Sequence, residues 1–313
     1  MKRLILLLSI LGMLSCTRNE NMERTFQRAG ENRAELEKVL RHYEDDDRKY
    51  HAACYLIEHM ADCYSYRSDR IDSLMKLKVL ATFESREWID SVDAAWGVFS
   101  YKGERKVYDC RVLTSDYLIN HIDHAFAVWD SRPWSKHYTL DDFCQWVLPY
   151  RIADEPLSAW QKPYYEKYAP VLDSLYQGSD VVAATNSLSC MVKEDYFLYN
   201  TEFHLPHLGA AYLLEHHLGA CRESCDFSVY ILRSLGIPVD VDAAMNAAGL
   251  DGICHVNSSC RLVFFMIPHC CAACQVGIQG KDCGKNQSFF ENYLFYFFYD
   301  LIHFCISDNL FCF

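Results

Sequence analysis

Gly219-Ala220-Cys221-Arg222-Glu223-Ser224-Cys225-Asp226-Phe227-Ser228-Val229-Tyr230-Ile231-Leu232-Arg233-Ser234-Leu235-Gly236-Ile237-Pro238-Val239-Asp240-Val241-Asp242 is the stretch that decides the fold. Phe227, Ile231, Leu232 and Leu235 recur at helical spacing with Ser224, Ser228 and Arg233 between them, which predicts an amphipathic helix. Gly219 permits a tight entry, and Gly236 followed by Pro238 marks the stop. Val239 and Val241 then alternate with Asp240 and Asp242, the pattern of a half-buried strand. Cys221 falls in the first helical turn, where unpaired backbone N–H groups and the helix dipole favour an anion. A thiol in that position gains thiolate character, and the thiolate is the nucleophile.

The run Gly-x-Cys-Arg-Glu, a helix, Leu-Gly-Ile-Pro and a valine-rich strand resembles the nucleophile segment of the transglutaminase-like (papain-like thiol) superfamily, over residues 205–242. The resemblance implies a Cys-His-Asp arrangement, with Cys221 the nucleophile on a helix and the His and Asp on antiparallel strands packed against it. Cys225, one turn further on, has no role in that pattern and reads as a small core side chain. The segments Trp134-Ser135-Lys136-His137 and Leu148-Pro149-Tyr150-Arg151 also resemble stretches that precede the core in exported bacterial members.

A thiol site needs a base within reach of the sulfur and a group that orients the base. His255, in Ile253-Cys254-His255-Val256-Asn257, stands at the distance from Cys221 that the resemblance requires, and His269 is a second candidate. No tryptophan accompanies His255, and no Asp follows at strand spacing until Asp282, so the chain departs from the family pattern here. His204, His207, His216 and His217 lie near Cys221 in sequence, but no second pair completes a zinc spacing. They are expected to be partly exposed or hydrogen-bonded, and neither a metal nor a cofactor is expected.

Further out, Met1-Lys2-Arg3, the apolar run Leu4 to Leu14 and Met13-Leu14-Ser15-Cys16 resemble a bacterial lipoprotein signal, with Cys16 the lipidated residue; the alternative is an ordinary signal peptide. The expected organisation is signal peptide 1–16, tether 17–30, a helical and aromatic-rich region 31–178, a transglutaminase-like core 179–252 and an atypical tail 253–313. Helical periodicity marks Ala34 to Tyr43, His51 to Tyr66, 69–81, 114–129 and Val181 to Val192. Residues 130–170 are dense in Trp and Tyr, read as packing between the helical region and the core, with a sugar- or peptide-binding groove as the alternative.

A net charge of −12 argues against a nucleic-acid partner. Half of the sixteen cysteines fall after residue 250, and those before it show no disulfide framework. Past Gly249 charged residues become rare, Cys270-Cys271-Ala272-Ala273-Cys274 appears, and Phe289 to Phe313 is dominated by apolar and aromatic residues without periodicity. Four readings of this tail stay open: a buried strand pair, a membrane-touching tail, a cysteine-rich metal loop with His269 and Cys283, and a stretch translated in a shifted frame.

The fold class expected is α+β: a helical N-terminal region, then a helix packed on a small antiparallel sheet. The function the resemblance implies is a lipid-anchored, exported thiol enzyme acting on peptide or glutamine-amide carbonyls, its activity depending on a His-Asp pair only half visible in the sequence. The alternative is a non-catalytic, surface-anchored lipoprotein that binds peptide or glycan.

Overall fold

The structure is a computed structural model that describes residues 20–97, 99–194, 197–244, 255–260 and 263–265. It is an α+β protein. Residues 20–29 form α1, followed by α2 (Arg33–His42), α3 (Asp47–His59), β1 (Tyr64–Arg67), α4 (Asp69–Ala81) and α5 (Arg86–Trp96). Then come β2 (Arg105–Tyr108), α6 (Ser115–Ser131), α7 (Leu140–Trp146), α8 (Gln161–Leu175) and α9 (Val181–Glu194). The last elements are β3 (Leu198–Tyr199), α10 (Ala210–His216), β4 (Leu218–Gly219), α11 (Cys221–Ser234), β5 (Asp240–Ala244), β6 (His255–Cys260) and β7 (Val263–Phe265).

Local chemistry explains the helix starts. Asp46, Ser68, Ser85 and Thr114 each accept a backbone N–H from the first turn of α3, α4, α5 and α6. Thr139 and Asp142 close a reciprocal capping box on α7. Two expectations need correction here. The tether expected over 17–30 is helical from residue 20, because Phe26 and Ala29, three apart, are buried against α2 and α3 neighbours such as Leu36 and Ile57. The periodicity read as helical through Tyr66 ends at His59, and Tyr64–Arg67 is a strand, where Tyr64, Tyr66 and Tyr108 fit a pleated surface better than a helix.

The sheets are small. β1 and β2 pair antiparallel, β3 and β4 parallel, and β5-β6-β7 form an antiparallel meander. One apolar cluster gathers Leu36, Ile57, Met60, Leu118, Ile122, Phe126, Phe143 and Leu148. A second surrounds α11, where Phe227, Tyr230, Ile231 and Leu235 meet Trp134, Trp160, Tyr164 and Tyr168. The aromatic-rich stretch therefore packs α8 against α11, and the polar break at 177–180 is no interruption of that core. Among the described residues no helix is long and apolar enough to cross a membrane.

The main departure concerns α11 itself. Ser228 and Arg233, expected on a solvent face, are buried along with everything from Cys225 to Ser234. The turn before α8 covers them: Arg233 donates to the carbonyls of Pro149 and Arg151 at 3.4 and 3.2 Å. α11 is the helix around which the second cluster gathers, and among the described residues it is open only at its first turn.

Candidate functional site

The mouth of α11 is built by constraints that converge on Gly219. β4 runs parallel to β3, with Leu198 N–H on the His217 carbonyl and Asn200 N–H on the Gly219 carbonyl, both at 2.8 Å. Gly219 has φ +151°, and a Cβ there would stand 2.3 Å from Glu223 Cβ. Only glycine fits that approach. The Glu223 carboxylate folds back onto the Ala220 N–H at 2.9 Å, and Ala220, the N-cap, has no side-chain oxygen to return the bond. The first turn of α11 thus lacks an N-cap acceptor and starts with a partly exposed Cys221, while Cys225 is fully buried.

Charged groups crowd around this turn. Arg222 holds Glu223 through Nε at 2.7 Å and reaches the carbonyls of Leu205 and Pro206 at 3.1 and 3.2 Å. Burial alone would push Glu223 up, but Arg222 and the Ala220 N–H outweigh it and hold the carboxyl below its usual value. Behind them Lys78, 4% exposed, donates to Asn200 O and Oδ1 at 3.2 and 3.3 Å and to Glu202 O at 2.5 Å. Burial lowers its ammonium to about 8.

One turn into α11, Asp226 accepts a hydrogen bond from His207 Nδ1 at 2.6 Å. The Asp226 side chain is 1% exposed and that of His207 19%. Burial raises the Asp226 carboxyl despite the imidazole beside it. For His207 burial works against the charge, yet Asp226 prevails and the imidazole is raised above its ordinary value. His207 N–H donates to Asp154 Oδ1 at 3.0 Å, which pins the chain before α10 to the 150s turn.

That turn is itself held by a buried ion pair. Arg151 binds Asp109 through Nε and Nη2 at 2.6 and 2.7 Å, Ser65 Oγ at 3.0 Å and the Glu155 carbonyl at 2.6 Å. Glu155 accepts the N–H groups of Ile152 and Ala153 at 2.6 and 2.7 Å and the Tyr230 hydroxyl of α11 at 3.0 Å. The helical region is thereby tied to α11 through side chains from Ser65 and Asp109 onward.

Of the residues singled out in the sequence, Cys221 is the first residue of α11. His255 is the first residue of β6, opposite Ala244 of β5, and both strands pack against α11. Cys16, the leader, His269, Asp282 and the cysteine cluster at 270–274 lie outside the described residues. His207 and Asp226 are nineteen positions apart, and nothing in their spacing announces a pair. Lys78 carried no signal either, since a lysine in a helical pattern reads as solvated. In comparisons with known proteins, no family model, no curated protein and no solved structure matches this chain.

Proposed function

We propose that the chain is an exported, lipid-anchored thiol enzyme of the transglutaminase-like kind. The observation that carries the reading is the position of Cys221: partly exposed, in the first turn of an otherwise buried helix whose N-cap supplies no side-chain oxygen. The helix dipole and the first-turn N–H groups favour negative charge there, on the sulfur first and on a carbonyl oxygen next.

The reaction runs as an acyl transfer. His255 takes the Cys221 proton, the sulfur bonds to a peptide or glutamine-amide carbonyl carbon, and first-turn N–H groups receive the oxyanion. The C–N bond breaks, the departing amine or ammonia takes the proton from His255, and a thioester remains on Cys221. Water then releases an acid, or an amine forms a new amide, with His255 deprotonating the incoming group. No metal or cofactor enters these steps. Partners on this reading are a protein or peptide substrate and the membrane that carries the lipid on Cys16. The alternative, a peptide- or glycan-binding lipoprotein, rests on the aromatics of 130–170, of which Trp134, Trp160, Tyr164 and Tyr168 are buried in the core.

The test is p-nitrophenyl acetate, followed by intact-mass and peptide mass spectrometry. The expected result is one acetyl thioester on Cys221 that turns over, is lost in Cys221→Ala and accumulates slowly in His255→Ala. Acetylation spread evenly over Cys63 and Cys221, the partly exposed cysteines among the described residues, overturns the proposal.

A further inference from the structure

The pairing of His207 with Asp226 does more than fill the core. Nδ1 is committed to a carboxylate that is 1% exposed, and 19% of the His207 side chain stays exposed. Nε2 has no hydrogen-bond partner among the described residues, and Asp226 Oδ1 is a buried oxygen without one. A protein that buries a carboxylate with one orphaned oxygen sacrifices stability. A protonated imidazole opened at its far edge is what that carboxylate sustains.

Other donors stand beside it. Arg222 is held against the Pro206 carbonyl, one residue before His207, and keeps 30% of its side chain exposed. The Tyr101 hydroxyl faces Arg222 and Asp154, with the Tyr101 ring 5.2 Å from that of Tyr66. The charged groups that face His207 are Asp154 and Glu155 from the 150s turn and Arg222 and Asp226 from α11, with Glu223 acting on Asp226 from the same helix. Of these, Glu155 is spoken for by Tyr230 and two backbone N–H groups, and Glu223 by Arg222 and Ala220.

We propose that the Nε2 edge of His207, with Arg222 and the Tyr101 hydroxyl, forms a carboxylate-binding subsite beside Cys221, so that the preferred acyl donor is a peptide with an acidic residue next to the reacting carbonyl. Asp226 is then a positioning residue: it orients the ring and keeps the imidazole charged, while His207 touches substrate. The subsite rests on the thiol reading of Cys221. It works while His207 is protonated, and its preference declines as pH rises through the raised His207 value.

The experiment compares chloroacetyl-glutamic acid amide with chloroacetyl-glutamine amide, equal in size and different by one charge, as alkylating agents of Cys221 in the full chain. Each reaction displaces chloride and forms a thioether, followed residue by residue by mass spectrometry. A hydrogen bond to a charged partner corresponds to about a tenfold rate preference for the acidic reagent at pH 6. That preference, read as the ratio of the two reagents' rates on Cys221 within each chain, should fade by pH 9 and be lost in His207→Gln and Asp226→Asn. His207→Lys, which restores a charge without the ring, should regain part of it. Equal rates for the two reagents on a Cys221 that still reacts selectively overturn the subsite alone. A Cys221 no more reactive than Cys63 toward either reagent overturns the thiol reading together with it.

Discussion

Replacing Arg151 by Met removes the cation from the most heavily bonded buried site in the described part of the protein. Asp109 is fully buried and Arg151 nearly so, with side-chain exposures of 0% and 6%. The variant strips from Asp109 two charge-assisted bonds, of 2.6 and 2.7 Å, and leaves it the Tyr150 hydroxyl at 3.0 Å. It also removes the Arg151 bonds to the Glu155 and Ala153 carbonyls and to Ser65 Oγ, leaving the Glu155 carbonyl the Ser65 hydroxyl at 2.8 Å. Leaving one partner of a buried pair uncompensated costs about 3–5 kcal/mol. Against a typical total of about 5–15 kcal/mol that is about a fifth or more of the stability, a fall of about 6–20 °C in Tm for a chain of this size.

The pH dependence of that loss identifies its origin. Burial already raises the Asp109 carboxyl in the wild type, against the pull of Arg151, and without the arginine it rises further. Its folded value then lies above its unfolded one, so the native state binds the extra proton and the variant recovers stability as pH falls through the raised value. Arg151→Met should be markedly less destabilised at pH 5 than at pH 8, and adding Asp109→Asn should restore part of the loss at pH 8. Urea unfolding followed by circular dichroism reads all three chains. A cost below about 1 kcal/mol with no pH dependence would refute the reasoning, since it would place the pair in water.

Two further perturbations bear on the helix mouth. Gly219→Ala sets a methyl 2.3 Å from Glu223 Cβ at φ +151°. A shift of backbone is the only relief, so a cost of about 1–3 kcal/mol is expected in urea unfolding, together with loss of selective acylation at Cys221. For Lys78, whose folded value is lowered to about 8 from 10.5, the native state binds fewer protons than the unfolded chain between those limits. Its contribution to stability should rise with pH across that window, by up to about 3 kcal/mol, and the difference between wild type and Lys78→Met should show this slope in pH-dependent urea midpoints.

What the sequence made legible was local. The stop at Gly236, whose φ of +68° lies in the left-handed region, the entry at Gly219, the helices 69–81 and 114–129 and the strand after Pro238 all follow from residues within a few positions of each other. The burial of α11 on its serine and arginine side was illegible, because the carbonyls of Pro149 and Arg151 that receive Arg233 lie more than eighty positions away. The same holds for His207: a histidine's partner, and with it the charge it carries, is set by contacts that no spacing rule encodes. Tyr64–Arg67 is illegible as a strand, since four residues flanked by helical patterns lie below the length at which periodicity separates strand from helix.

The central claim is that the sulfur of Cys221 is charged at neutral pH and served by His255. The pH dependence of Cys221 alkylation by iodoacetamide, resolved from the other cysteines by mass spectrometry, measures this directly. The account predicts an apparent thiol pKa well below the ~8.5 of free cysteine, moving up by a unit or more in His255→Ala. A value at or above that of free cysteine, or one that His255→Ala leaves where it was, would contradict it.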